Sequence, residues 1–243
     1  MTDMNRLVWQ DYWNALRWKN AWKRMGELSG VIVVITQMLT IWPLNILDLE
    51  GESRLYYYIL AIPLIFALFS SLCVEIQLPK QMYLTPLTQV ERREYMEKVL
   101  RLKIVIPNLV MGVAITVVLI FGKTNIAWGG ILLIQNILST MGMSLFYKVE
   151  KTKYVKELQT EGNVLWAILT MVIGLLGEFF ILGAACSSAI MDNVSLIFLG
   201  VSVVIQLFCL HKIYSRKNQY FDKLANYERW YVVEEKKEVK SVW

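Results

Sequence analysis

Asn163-Val-Leu-Trp-Ala-Ile-Leu-Thr-Met-Val-Ile-Gly-Leu-Leu-Gly-Glu-Phe-Phe-Ile-Leu-Gly-Ala-Ala-Cys186 holds one charged side chain, Glu178, in 24 residues. A run so long and so apolar reads as a membrane-crossing helix. About 20 residues at 1.5 Å each cover a hydrocarbon core near 30 Å thick. Working outward, five further runs of the same kind lie at about residues 28–47, 55–76, 104–121, 126–147 and 191–210. The fold class this predicts is all-α: a polytopic membrane protein of six transmembrane helices, residues 28–212. An N-terminal interfacial amphipathic helix (1–27) precedes them and a cytoplasmic tail (213–243) follows.

Charge supports the same division. Of 25 Lys and Arg residues, 23 fall in the N-terminal segment, the loop between spans 2 and 3, the loop between spans 4 and 5, and the tail. Only Arg54 and Lys123 fall in the other loops. The positive-inside rule makes the basic side cytoplasmic and puts both termini there. The net charge of +5 therefore speaks for lipid headgroups and orientation, not for nucleic acid. The chain is 56% hydrophobic with a mean hydropathy of +0.44, which no ordinary soluble domain of 243 residues shows. The N-terminus is polar and Trp-rich with no small-residue cleavage pattern, so the first span is expected to be retained.

Residues 5–26 predict an amphipathic helix. Val8, Trp9, Tyr12, Trp13 and Leu16 recur at helical spacing, and Trp18 and Trp22 extend the apolar side. Indole rings favour the headgroup region, so Trp9, Trp13, Trp18 and Trp22 are candidate interface anchors. A helix packed on the other cytoplasmic loops is the alternative. Tyr220, Phe221, Leu224 and Tyr227 predict a second short amphipathic helix in the tail.

Chemistry-bearing patterns are few. Cys73, Cys186 and Cys209 lie in or at the ends of spans without paired spacing, and His211 stands alone at the inner end of span 6. No metal site, catalytic constellation or nucleotide-binding loop is predicted, so any ATP and Mg would be bound by another chain. Glu91, Glu94 and Glu97 lie among Arg92, Arg93, Lys98 and Arg101, the pattern of an ion-paired helix start. Asn108, Gln135, Asn136 and Gln206 are polar within spans and should turn toward other helices. Gly174 and Gly177 thin one side of span 5 for close packing. Glu178 lies roughly 20 Å into its span at 1.5 Å per residue. It either lines a path for a cationic or amphipathic substrate, or is a structural carboxyl bonded to a neighbour such as Gln135 or Gln206.

The loop between spans 2 and 3, residues 77–103, is too apolar for a solvated linker: Met82, Tyr83, Leu84, Leu87 and Val90 need cover. Thr88 followed by Glu91 spells a capping box, so a helix should start near Gln89 and run into span 3. The loop either packs under its own bundle or docks a cytoplasmic partner. The pattern Lys-x-Met-Tyr-Leu-x-Pro-Leu-Thr-x-x-Glu-Arg-x-x-Tyr, residues 80–95, resembles the first cytoplasmic loop of ABC-2-type exporter permeases from Gram-positive bacteria. The order of parts is similar to that family across nearly the whole chain.

The resemblance implies a permease subunit of the bacterial plasma membrane. It would pair with a second permease, identical or not, and with a separate cytoplasmic ABC ATPase, and would move a peptide or an amphipathic or lipidic substrate outward. It also implies that Tyr83, Leu84, Thr85, Pro86, Leu87, Thr88, Glu91 and Arg92 form the coupling element that enters the ATPase. The larger exporters have outer loops that this chain lacks between spans 5 and 6, which suits the compact permeases of peptide export or bacteriocin immunity. A stand-alone immunity or scaffold protein without ATP coupling is the other reading.

Overall fold

The computed structural model describes residues 2–17, 20, 52–74, 76, 78, 87–121, 126–144, 164–186 and 192–225. Within these the chain is all-helical: α1 (Thr2–Leu16), α2 (Glu52–Cys73), α3 (Gln89–Ile120), α4 (Ile126–Ser144), α5 (Val164–Cys186), α6 (Asp192–Ser215) and α7 (Lys217–Ala225). The expected first span, 28–47, lies outside the described residues. Among the described residues three stretches are long and apolar enough to cross a membrane: α3, α4 and Leu196–Gln219, which takes in most of α6. Two shorter apolar helical stretches, Leu55–Ser71 and Leu169–Glu178, fall within α2 and α5. The chain is a membrane protein.

Helix α4 stands at the centre, touching α2, α3, α5 and α6. Its inward face is polar: Gln135, Asn136, Ser139, Thr140 and Ser144 are all buried. The outward faces of its neighbours are apolar. Val105, Leu109, Val113 and Ile120 run along the exposed side of α3, and Ile197, Val201, Val204 and Phe208 along that of α6. This inverts the order of a water-soluble bundle and is what hydrocarbon demands. Thr116, exposed on α3, satisfies its hydroxyl on its own helix by donating to the Gly112 carbonyl at 2.8 Å.

Asn108 ties α3 to α4. Its Nδ2 donates to Thr140 Oγ1 at 2.9 Å, and its Oδ1 accepts from Asn136 Nδ2 at 2.7 Å. Helices α2 and α3 run unbroken through Pro63 and Pro107, where a proline removes one backbone donor each. An apolar core of Tyr57, Leu60, Leu64, Met111, Ile115 and Leu132 fills the space between α2, α3 and α4.

A second core lies at one end of the bundle. Val8 and Tyr12 of α1, Val74, Ile76, Leu78, Tyr95, Met96, Val99 and Leu100, and Phe221 and Ala225 of α7 are buried together. The N-terminal helix, the start of α3 and the tail thus share one end. They are three of the four segments in which the basic residues concentrate.

Helix α1 ends at Leu16 with a bend at Arg17, and residues 18, 19 and 21–26 of the expected 5–26 helix lie outside the described residues. Its expected single apolar face is divided. Val8 and Tyr12 point into the bundle, where the Tyr12 hydroxyl meets Ser70 Oγ at 2.7 Å. Trp9 and Trp13, on the neighbouring stripe about 100° round the helix, remain 49% and 41% exposed with their rings edge to face. Trp18 and Trp22 lie outside the described residues.

Glycine placement yields a contrast. A Cβ on Gly142 would lie 2.8 Å from Cβ of Thr170, a branched side chain packed on α5. Gly200 has open space around it. Gly142→Ala should therefore separate α4 from α5 and cost about 1–3 kcal/mol, whereas Gly200→Ala should be neutral or slightly stabilising. Thermal unfolding of the two variants in the same detergent measures the difference; equal melting temperatures would refute the close contact.

Candidate functional site

Two places bring the sequence-singled residues together. The first is the start of α3. Thr88 is an extended N-cap residue. Its hydroxyl accepts from the Glu91 amide at 3.3 Å, while its own amide donates to Glu91 Oε2 at 2.8 Å. The expected capping box is therefore complete, and it starts a single helix of 32 residues. The Thr88 hydroxyl also donates to Glu91 Oε2 at 2.9 Å, and these two donors, the backbone amide foremost, hold the Glu91 carboxyl below the usual carboxylate range.

Ion pairs brace the next turns. Lys98 meets Glu94 at 2.8 Å, and Arg93 meets both Glu97 at 3.6 Å and Asp222 of α7 at 3.3 Å. The expected ion-paired helix start is present, and it also clamps the tail.

The other coupling candidates divide. Tyr83, Leu84, Thr85 and Pro86 lie outside the described residues. Leu87 is half-buried against the bundle-end core, so part of this loop does pack on its own chain. Arg92 turns inward: it is buried, and its Nη1 donates to the Ala225 carbonyl at 3.2 Å. Val90 is left 75% exposed at the helix tip, an apolar side chain without cover.

The second place is the interior between α4, α5 and α6. Glu178 is 1% exposed. Its expected neighbours Gln135 and Gln206 are present, but its hydrogen bond goes to Ser139. The approach depends on Gly174 and Gly177, one turn apart on α5. A Cβ on Gly174 would lie 2.7 Å from Gln206 Nε2, and one on Gly177 would lie 2.6 Å from Gln135 Nε2 and 3.1 Å from Ser202 Oγ. Gln135 Nε2 donates to the Gly174 carbonyl at 3.4 Å, and Gln206 Nε2 to Ser139 Oγ at 3.5 Å. Gln135 Oε1, Glu178 Oε1 and Gln206 Oε1 are buried without a hydrogen-bond partner.

Sequence reasoning missed Ser139 and Ser202, which complete this cluster. Serines are ordinary in membrane helices, and only their distance from Gly174 and Gly177 marks them. It also missed Lys103. Counted as a loop cation, Lys103 is fully buried, with Nζ donating to the Ser71 carbonyl at 2.9 Å. Its spacing from Met96 and Leu100, both buried on the same helix, was the available signal.

The capping box is open to test. Thr88→Ala removes the hydroxyl acceptor at the helix start and should cost about 1 kcal/mol, with Thr88→Ser nearly harmless. Because the Glu91 carboxyl titrates lower in the folded chain, its contribution is complete above the ordinary carboxylate range. It disappears as pH falls through the lowered value. The Thr88 amide, which donates to that carboxylate, should lose hydrogen-exchange protection, measured against the pH-dependent intrinsic rate, in that window; flat protection would contradict the box.

No family model, curated protein or solved structure matches the chain, so its function is read from its own residues.

Proposed function

We propose that the chain is the transmembrane permease subunit of an ATP-driven exporter, with six spans, both termini in the cytoplasm, and ATP hydrolysis in a separate ABC subunit. One observation carries the reading. The capped, ion-paired tip of α3 presents Val90 uncovered, at the end of a helix that continues without a break into the apolar bundle. A rigid rod with an apolar tip is suited to carry a push from a soluble partner into the membrane, since packed elements move as bodies. The bracing of that tip by α1 and α7 fits the same role.

In this reading two permease subunits pair, and their substrate is a peptide or another amphipathic or lipidic molecule. The exposed apolar stripes of α3 and α6 supply surfaces for lipid or for the second permease. Trp9 and Trp13 rest at the headgroups while Val8 and Tyr12 hold α1 to the bundle. The localisation that follows is the bacterial plasma membrane.

The topology is tested with single cysteines. Gly51→Cys, Lys123→Cys and Asn193→Cys should react with an impermeant thiol reagent added to intact cells, and Ser215→Cys and Thr152→Cys should not. Labelling of the last two from outside would overturn the orientation.

The partner is tested at Val90. A tagged chain purified from its native membrane should bring a Walker-motif ATPase and hydrolyse ATP. Val90→Asp should leave insertion and melting unchanged, because the side chain is exposed, yet lose the ATPase by burying a charge in the contact at a cost of several kcal/mol. Retention at wild-type stoichiometry would refute docking at this tip. Isolation of the native chain with no ATPase would favour the stand-alone immunity or scaffold role.

A further inference from the structure

Helix α6 carries its own depth scale. Asn193–Leu210 is a run of 18 residues without a formal charge, bounded by Asp192 on one side and by His211 and Lys212 on the other. At 1.5 Å per residue the run is roughly 27 Å long, close to the thickness of a hydrocarbon core. Lys212 therefore stands where hydrocarbon gives way to headgroups, at the basic end of the chain.

The face of α6 that meets this boundary is open. Val201, Val204 and Phe208 recur at helical spacing and are each more than half exposed. Lys212, one turn beyond Phe208, leans back over it, with Nζ 5.5 Å from the ring centre. Trp166, near the start of α5, meets the same ring edge to face at 5.6 Å. The end of α6 is tied inward by another side chain: the Tyr214 hydroxyl reaches the Met141 carbonyl of α4 at 3.5 Å. An apolar stripe thus runs without interruption into a cation set beside two aromatic rings that belong to different helices.

The protein supplies no anion to this place. Among the described residues no carboxylate lies on α4, on α5 before Glu178, or on α6 after Asp192. The nearby acids of the basic end are engaged elsewhere, Asp222 with Arg93 and Glu97 with Arg93 and Lys217. Arg216, exposed one turn past Lys212, adds further positive charge. A phosphate diester at headgroup depth complements these cations, and an indole N–H is a further donor for it. A zwitterionic headgroup brings its own ammonium, which competes with Lys212 for that phosphate. An anionic one does not.

We propose that Lys212, Phe208 and Trp166 form a binding site for the headgroup of an anionic phospholipid, whose acyl chains lie along Val204 and Val201. The lipid joins α5 to α6 from outside, at the membrane boundary. The inference rests on the chain lying in a membrane and not on an ATPase partner.

The probe is an equimolar mixture of phosphatidylglycerol and phosphatidylcholine with the same acyl chains, offered to the full chain in detergent. Native mass spectrometry then counts the lipids retained. Wild-type protein should retain phosphatidylglycerol in preference, and Lys212→Gln should lower that preference about fivefold. Lys212→Arg should restore it, and Phe208→Leu, which leaves the charge in place, should reduce it. Lys212 is exposed, so Lys212→Gln should melt like wild type in lipid-free detergent. Arg101→Gln removes an exposed cation elsewhere at the basic end and should leave the preference unchanged. Equal retention of the two lipids by wild type would overturn the proposal. So would a preference that survives Lys212→Gln, or one that Arg101→Gln lowers as much, which would mark a diffuse basic surface. Displacement of the lipid by inorganic phosphate at constant ionic strength would identify a site for free anions and overturn it as well. None of these results bears on whether an ATPase docks at Val90.

Discussion

Hydrocarbon offers no hydrogen-bond partner, so every polar side chain of α4 must find one on a neighbouring helix or on its own backbone. Five such residues lie buried on this helix within ten positions, Gln135 to Ser144. They fix where the neighbours stand. Asn136 and Thr140 require α3, because Asn108 bonds both. Gln135 and Ser139 require α5 and α6, whose Gly174 carbonyl, Glu178 and Gln206 meet them. Interhelical bonds of this kind contribute only about 0.6 kcal/mol each on average. Their effect is on which arrangement is adopted, since the alternatives would leave the same groups in lipid without partners.

The basic end of the bundle follows different rules. There Tyr95 donates to Asp11 at 2.5 Å, Arg93 pairs with Asp222, and Arg92 reaches the Ala225 carbonyl. Charges and aromatic hydroxyls are packed with aliphatic side chains, as in a water-soluble core. Lys103 marks the change of regime. Its ammonium is taken up by the Ser71 carbonyl near the end of α2, and Lys103 itself stands directly before the apolar part of α3, which begins at about residue 104. Helix α3 is thus anchored in both environments by different chemistry.

What could be read in advance divides along the range of the interaction. The box at Thr88 and Glu91 was legible because both partners lie within one turn, and the start of α3 at Gln89 followed from it. The apolar runs among the described residues were legible as helices for the same local reason. Asn108, Gln135, Asn136 and Gln206 were recognisable as polar groups needing partners, but not which partner each takes, since that depends on how helices far apart in sequence rotate against one another. Glu178 was legible as a buried carboxyl, while its bond to Ser139 was not. Arg92 reads from the sequence as part of an ion-paired helix start and of the coupling element, and Lys103 as one basic residue of the loop 77–103. The spacing of Lys103 from Met96 and Leu100 marks the helix face it shares with them, but not the carbonyl 32 residues away that it meets. In α1 the periodicity was read correctly, but two adjacent stripes were merged into one face.

The two sites are joined by the geometry of α3 and α4. From the cap at Thr88 to Asn108 the helix is continuous, a rod of about 30 Å at 1.5 Å per residue. Asn108 grips Asn136 and Thr140, and the residues beside them in sequence, Gln135 and Ser139, belong to the Glu178 cluster. One helix face is closed by bonds of 2.7–2.9 Å, whereas the other is held by bonds of 3.4–3.5 Å around three unsatisfied oxygens. A displacement of α3 would reach α4 through the tight contact and be accommodated at the loose one, because short, doubly made bonds resist movement more than long single ones. Contiguity of this sort is a precondition for coupling between the helix tip and the buried carboxyl, and a coupling energy between substitutions at Asn108 and Gln135 is its physical measure.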